Sequence, residues 1–159
     1  MRRIAGALLL LTLAAPVAAR QQVAPAPATT QSPFTYSRAM IPMRDGVKLE
    51  TVILTPRDAK GPLPVLIQRT PYGIFDGAPK TMPASWAALA KDGYIFVFQS
   101  MRGRFGSEGG QFTLSTAIRE GSTDEASDAA DSIDWLLKNV PAHNGRVGMW
   151  GVSYPGLAA

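Results

Sequence analysis

Ser153 lies in Gly151-Val-Ser-Tyr-Pro-Gly156, directly after an apolar run, and a serine between glycines at a strand end is a candidate nucleophile. Its hydroxyl attacks a carbonyl only when a base takes its proton and donors stabilise the oxyanion that forms. A sharp strand-to-helix turn serves both needs: it lifts the side chain clear of the sheet and aims the next residue's N–H at the oxyanion. Gly151 relieves crowding at such a turn. The second glycine, Gly156, comes one place later than in G-x-S-x-G, and Pro155 stands where that pattern has glycine. Pro155 lacks an N–H, but in the first turn of a helix that donor is unpaired in any case. Tyr154 keeps the N–H an oxyanion needs, although the following proline biases it away from helical φ/ψ. The spacing alone leaves Ser153 open between a nucleophile and an ordinary turn residue.

Tyr72, in Arg69-Thr-Pro-Tyr-Gly73, is a phenol on the loop after an early strand, where hydrolases place a second oxyanion donor. The alternative is an amphipathic rim residue. His143 is the only histidine. It precedes the strand whose far end carries Ser153, and at about 3.3 Å per residue the two should lie roughly 20 Å apart, so His143 is not expected to be the base. Asp124, Glu125, Asp128, Asp131 and Asp134 fall on one helical stretch; between a metal or substrate site and a solvated face, their spacing favours the solvated face. The Gly-rich loop Arg102–Gly110 reads as a structural loop beside the site, with Arg102 or Arg104 as a partner for inward acids.

One histidine and no cysteine argue against a zinc site of the usual ligand type, and no metal or other cofactor is expected. The formal charge is +4, and removing Arg2 and Arg3 with a leader peptide takes it to +2. The remaining Lys and Arg are scattered, without the basic stripe and interleaved aromatics of a nucleic-acid surface.

Positioning Ser153 and Tyr72 requires strands that end at the same edge. Tyr36–Met43 and Val47–Thr55 flank an Asp-Gly turn and read as a hairpin. Val65–Gln68 reads as a buried strand leading to the loop Thr70–Gly73. Pro83–Lys91 reads as a short helix whose Trp86, Leu89 and Ala90 share a face. Tyr94–Met101 is apolar nearly throughout, which suits a parallel strand covered on both sides. Ser122–Asn139 reads as a helix with an apolar stripe of Ala126, Ala130, Ile133, Leu136 and Leu137 and a Ser122/Glu125 capping box. Asn144–Trp150 then gives the strand that feeds the Ser153 turn. Strand, helix, strand, helix, strand predicts a doubly wound α/β domain with a parallel sheet and sites at the carboxyl ends of its strands.

The segments "PMRDGVKLETVILTP", "RTPYG", "GYIFVFQSMRGRFGSEG" and "NGRVGMWGVSYPG", in this order and spacing, resemble the N-terminal part of the cocaine esterase, α-amino-acid ester hydrolase and Xaa-Pro dipeptidyl-peptidase family, of the α/β-hydrolase superfamily. The resemblance covers about Ser37 to Gly156 and looks closest to the α-amino-acid ester hydrolases. That family writes its turn as G-x-S-Y-x-G, so the late glycine is the family form. The resemblance implies Ser153 as nucleophile, the Tyr154 backbone N–H and the Tyr72 hydroxyl as oxyanion donors, and a small ester, amide or short peptide as substrate. The chain departs from the family pattern at Ser100 and Gly73, where relatives often carry Asp.

Residues 1–19 have Arg2-Arg3, an apolar run from Ile4 to about Ala15, and small residues at Val17-Ala18-Ala19, the pattern of a secretory signal peptide. Its roughly dozen apolar residues fall short of the ~20 that span a bilayer, so no stable membrane anchor is expected. Residues 20–33 read as a Pro/Ala-rich tether, and 34–159 as a partial α/β-hydrolase domain that stops just after the nucleophile turn. The expected location is the periplasm or the medium, with homo-oligomerisation left open. In this fold the acid and the histidine follow the serine, and only six residues follow Ser153, so the chain is expected to be a fragment with little turnover. Two readings compete with an ester or amide hydrolase: a Xaa-Pro dipeptidyl-peptidase, and a non-catalytic exported binding module on a decayed hydrolase fold.

Overall fold

The computed structural model describes residues 31–112 and 123–159. The leader at 1–19, most of the tether and Ser122 lie outside the described residues. In chain order come β1 (Phe34–Pro42), β2 (Lys48–Pro56), β3 (Leu63–Thr70), a 3₁₀ turn (Ala84–Trp86) running into α1 (Ala87–Asp92), β4 (Ile95–Ser100), α2 (Glu125–Asn139), β5 (His143–Met149) and α3 (Tyr154–Leu157). The strands form one sheet in the order β1-β2-β4-β3-β5.

The sheet is mixed rather than parallel throughout. β1 pairs antiparallel with β2, and β2 with β4, whereas β3 runs parallel to both β4 and β5. The cause is local: the Arg44-Asp-Gly46 turn folds β2 straight back on β1, with Gly46 at φ 86 and Gly46 N–H donating to Met43 O at 2.9 Å. The later crossovers pass through helices and so return parallel strands. β3, β4 and β5 therefore end at one edge, and the loops holding Tyr72, Arg104 and Ser153 all leave from it.

All six residues of β4 are buried, because both faces of the strand are covered. Val65, Ile67, Ile95 and Val97 point to one side and pack with Leu136 and Val140 of α2 and its C-cap. Phe96 and Phe98 point to the other and meet Trp86, with Leu89 and Ala90 packed half-buried on the same cluster. Burying side chains of this size contributes about 1.5–3 kcal/mol each.

Helix α2 differs from its sequence reading in two respects. It starts at Glu125, and its cap is Asp124, whose carboxylate accepts Ser127 N–H at 2.8 Å while Ser127 Oγ accepts Asp124 N–H at 2.8 Å. Its buried face is Ser127, Asp128, Ala129, Ser132 and Leu136, whereas Ala126 and Ala130 are exposed. The acids are thus not simply a solvated face: Asp124 and Asp128 are buried, Glu125 is half-buried and only Asp134 is exposed. The reason lies in the sheet below. Arg69 on β3 and Gln99 on β4 are fully buried, and a helix packed over them has to bring polar partners.

Two acids tie the hairpin turn to the rest of the domain. Asp131 accepts bonds from the Arg44 backbone N–H at 2.8 Å and from its guanidinium at 2.9–3.2 Å, and Asp45 accepts from Arg102 at 2.8 Å. Hydrogen bonds from the arginines hold both carboxyls below the ordinary carboxylate range. A depressed acid contributes stability that is fully present above its unfolded pKa of about 3.9 and is lost as pH falls through its folded value. Burial pushes Glu125 the other way, so its contribution is present at low pH and is lost as pH rises through its folded value. Urea unfolding of Asp131→Asn is accordingly expected to lose less stability than wild type between pH 4 and the acid limit, and parallel curves would refute the assignment.

Candidate active site

The Ser153 turn is built by close approach of backbone. Beyond β5, Trp150 N–H still donates to Ile67 O at 3.1 Å, which carries the strand to the edge of the turn. Ser153 is exposed and adopts φ 59, ψ −127, a region non-glycine residues rarely occupy and which costs about 1–3 kcal/mol. The surroundings hold it there: Ser153 O accepts Gly156 N–H at 2.9 Å and Leu157 N–H at 3.3 Å as α3 begins. A Cβ on Gly151 would overlap Pro155 C and O and lie 2.6 Å from Gly156 N, and one on Gly156 would lie 3.0 Å from Gly151 O. Gly151 therefore rests on the peptide that joins Pro155 to the late glycine, Gly156. Gly151→Ala is expected to cost about 1–3 kcal/mol in urea unfolding and Gly156→Ala clearly less. Equal costs would contradict this packing.

Tyr72 stands beside that turn. Its N–H donates to Thr70 Oγ1 at 3.1 Å, its side chain is 67% exposed, and its ring meets the Tyr154 ring edge-on with centroids 6.4 Å apart. The sequence-predicted Ser153, Tyr154 and Tyr72 thus come together at the carboxyl edge of the sheet. The Tyr154 hydroxyl is buried without a hydrogen-bond partner among the described residues. Burial, then the nearby Glu125 charge, then Tyr72, raise its pKa above that of an ordinary phenol. Tyr72 also walls an open pocket of about 700 Å³, with Phe75, Phe98 and Phe105 as apolar sides and the Arg38–Glu50 ion pair, 3.0 Å apart, on its rim.

His143 is held elsewhere. Its Nε2 lies 2.9 Å from Leu137 O and its Nδ1 accepts Gly145 N–H at 2.9 Å. It pairs with Leu63 at the start of β3, at the opposite end of the sheet from Ser153. Among the described residues no group of three His, Cys, Asp or Glu side chains is arranged to hold a metal ion, and no helix is long and apolar enough to cross a membrane.

Residues 101–108, directly after β4, are tied to the hairpin by hydrogen bonds. Ser107 Oγ accepts Glu50 N–H at 2.8 Å and donates to Ser100 O at 2.7 Å, while Glu108 accepts from Lys48 N–H at 2.9 Å. Arg102 pairs with acids, reaching Asp128 at 2.6 Å and Asp45 at 2.8 Å, as the sequence suggested. The Arg104 Nε–H donates to Pro71 O at 2.9 Å, and its guanidinium lies over the rings of Phe105 and Phe112. Gly73, with φ +99, leaves room for the Phe105 ring, whose Cζ would be 3.1 Å from a Cβ there.

Behind the site lies a buried polar network that motif reading missed. Arg69 Nε–H donates to Gln99 Oε1 at 2.9 Å and Nη1–H to Glu125 O at 2.6 Å. Its Nη2 forms ion pairs with Glu125 Oε2 at 2.8 Å and Asp128 Oδ2 at 3.6 Å, close in distance but without hydrogen-bond alignment at Nη2. Gln99 continues to Thr51 at 3.0 Å and Ser132 at 2.8 Å. Burial lowers the Arg69 pKa, and the charges of Glu125 and Asp128 oppose that shift.

The chain is similar to known proteins in sequence and in fold. The X-Pro dipeptidyl-peptidase (S15 family) profile matches residues 45–159. Cocaine esterase from Rhodococcus sp. (strain MB1 Bresler) is 43% identical over 122 residues, which is 76% of this chain and 20% of that protein. A solved α-amino acid ester hydrolase superposes with TM-score 0.72 at 37% identity over 91% of this chain and 25% of its own. An aminopeptidase from a marine sediment archaeon, Thaumarchaeota archaeon, does so with TM-score 0.70 at 38% identity over 80% and 22%. The chain thus spans about a fifth to a quarter of the length of these relatives. It belongs to the X-Pro dipeptidyl-peptidase (S15) family of hydrolases and has the N-terminal part of an α/β-hydrolase fold.

Proposed function

We propose that this chain carries the nucleophile and both oxyanion donors of an exported serine hydrolase that cleaves small carboxylic esters or amides through a seryl acyl-enzyme. The observation that carries the proposal is the exposed, positive-φ Ser153 between a parallel strand and a helix, with the Tyr72 ring against Tyr154. Ser153 Oγ attacks the substrate carbonyl, and the tetrahedral oxyanion is held by Tyr154 N–H and the Tyr72 hydroxyl. The alcohol or amine departs with a proton, and water then releases the acid and frees Ser153. Because both nitrogens of His143 are engaged far from Ser153, the histidine base and its acid come from outside residues 1–159, which alone should turn over little. On this reading Tyr72→Phe lowers kcat by about 10²- to 10³-fold with KM little changed.

Likeness to cocaine esterase and to the ester hydrolase favours an ester over a peptide. The family profile and the archaeal aminopeptidase keep dipeptidyl-peptidase activity as the second reading. The test compares p-nitrophenyl acetate with alanyl-prolyl-p-nitroanilide on the protein encoded by the complete gene. Faster ester turnover supports the proposal, faster anilide turnover supports the second reading, and hydrolysis of neither supports a binding module. Export is part of the proposal, and a mature N-terminus after Ala19 would support it.

A further inference from the structure

We propose that Arg104 is a positioning residue for the oxyanion site, setting the Tyr72 loop in register with the nucleophile turn; this rests on the oxyanion role of Tyr72 given above. The two donors are fixed in different ways. The Tyr154 N–H belongs to a turn that its own hydrogen bonds and the Gly151–Gly156 contact hold rigid. Tyr72 is an exposed side chain on the loop after β3, so its place depends on what that loop rests on.

Arg104 supplies the support. Its Nε–H donates to the carbonyl of Pro71, the residue before Tyr72, at 2.9 Å. Its guanidinium lies 5.2 Å from the centroid of Phe105, whose ring rests on Gly73, the residue after Tyr72. The same guanidinium lies 5.6 Å from the centroid of Phe112, and Phe112 packs against Tyr154 at 5.8 Å. Tyr154 in turn meets Tyr72 at 6.4 Å, which closes the circuit. One planar cation thus grips the Tyr72 loop on both sides of Tyr72 and reaches the nucleophile turn through a single ring. Phe105 adopts φ 50 in this arrangement, so the loop accepts backbone strain in order to place its ring on Gly73. Arginine suits the position because a flat guanidinium can stack on rings and donate in its plane at once, which an ammonium cannot.

The test is a double-mutant cycle on the protein encoded by the complete gene, with p-nitrophenyl acetate as substrate. Arg104→Ala is expected to lower kcat about ten- to a hundredfold with KM within about twofold, because a misplaced donor fails the transition state and not the bound ester. In a Tyr72→Phe background the same change is expected to cost about twofold or less, since the group that Arg104 positions has gone. Should Arg104→Ala prove unfolded by circular dichroism, Arg104→Lys is read in the same cycle. It keeps the charge and the aliphatic stem, loses the stack and the Nε–H bond, and is expected to show the same pattern at smaller size. Equal losses in both backgrounds, or a raised KM with kcat intact, overturn the proposal. Wild-type kcat in Tyr72→Phe alone would remove the oxyanion role of Tyr72 itself, and this proposal with it.

Discussion

Ser153→Ala in the protein encoded by the complete gene is expected to lower p-nitrophenyl ester hydrolysis on the order of 10⁴-fold or more, leaving the unfolding midpoint close to wild type. Removing the nucleophile of a seryl mechanism leaves only the acceleration that oxyanion donors and binding give to direct attack by water. The midpoint should hold because Ser153 Oγ is exposed, and the turn is fixed by the carbonyl of Ser153 and not by its side chain. Losing the Oγ leaves the positive φ in place, and alanine tolerates that region no better than serine does. Retention of more than about a tenth of the activity would mean another group attacks the carbonyl.

The second large effect concerns stability. Arg69→Leu is expected to destabilise the protein by about 3–5 kcal/mol, read as a lowered urea midpoint. The guanidinium is fully buried, and its removal leaves Glu125 with a buried carboxylate oxygen and Gln99 Oε1 without its strongest donor. Asp128 is less affected, since Arg102 still reaches it at 2.6 Å. A Glu125→Leu change added to Arg69→Leu should recover part of the loss, because replacing a whole buried ion pair is far cheaper than stranding one partner. A single variant within about 1 kcal/mol of wild type would show that water reaches the network.

The elements that position the site were legible because they rest on local signals. The Asp45-Gly46 turn fixed the hairpin, the apolar run before Met101 marked a strand covered on both faces, and the glycines around Ser153 marked the turn. The direction of pairing was only half legible: a hairpin followed by two helical crossovers must give a mixed sheet, and the parallel reading suited β3, β4 and β5 alone. The face of α2 was misread because period alone does not say what a helix covers. Asp128 and Ser132 look like surface residues until Arg69 and Gln99 are recognised as polar groups inside apolar strands, which was the available signal. The role of Arg104 gave no such signal. It depends on Pro71, 33 residues away, and on two rings that only the folded loop brings within reach.

The reading of Ser153 as nucleophile is tested most directly by mapping where an alkyl fluorophosphonate reacts. Incubated with the protein encoded by the complete gene and followed by peptide mass spectrometry, the probe should add one phosphonyl group, located on Ser153, with activity lost in proportion. Residues 1–159 alone should stay unlabelled over the same time, because their one histidine, His143, sits at the end of β5 away from the serine. Stoichiometric labelling of another residue, or unlabelled Ser153 in a protein that still hydrolyses the ester, would contradict the account.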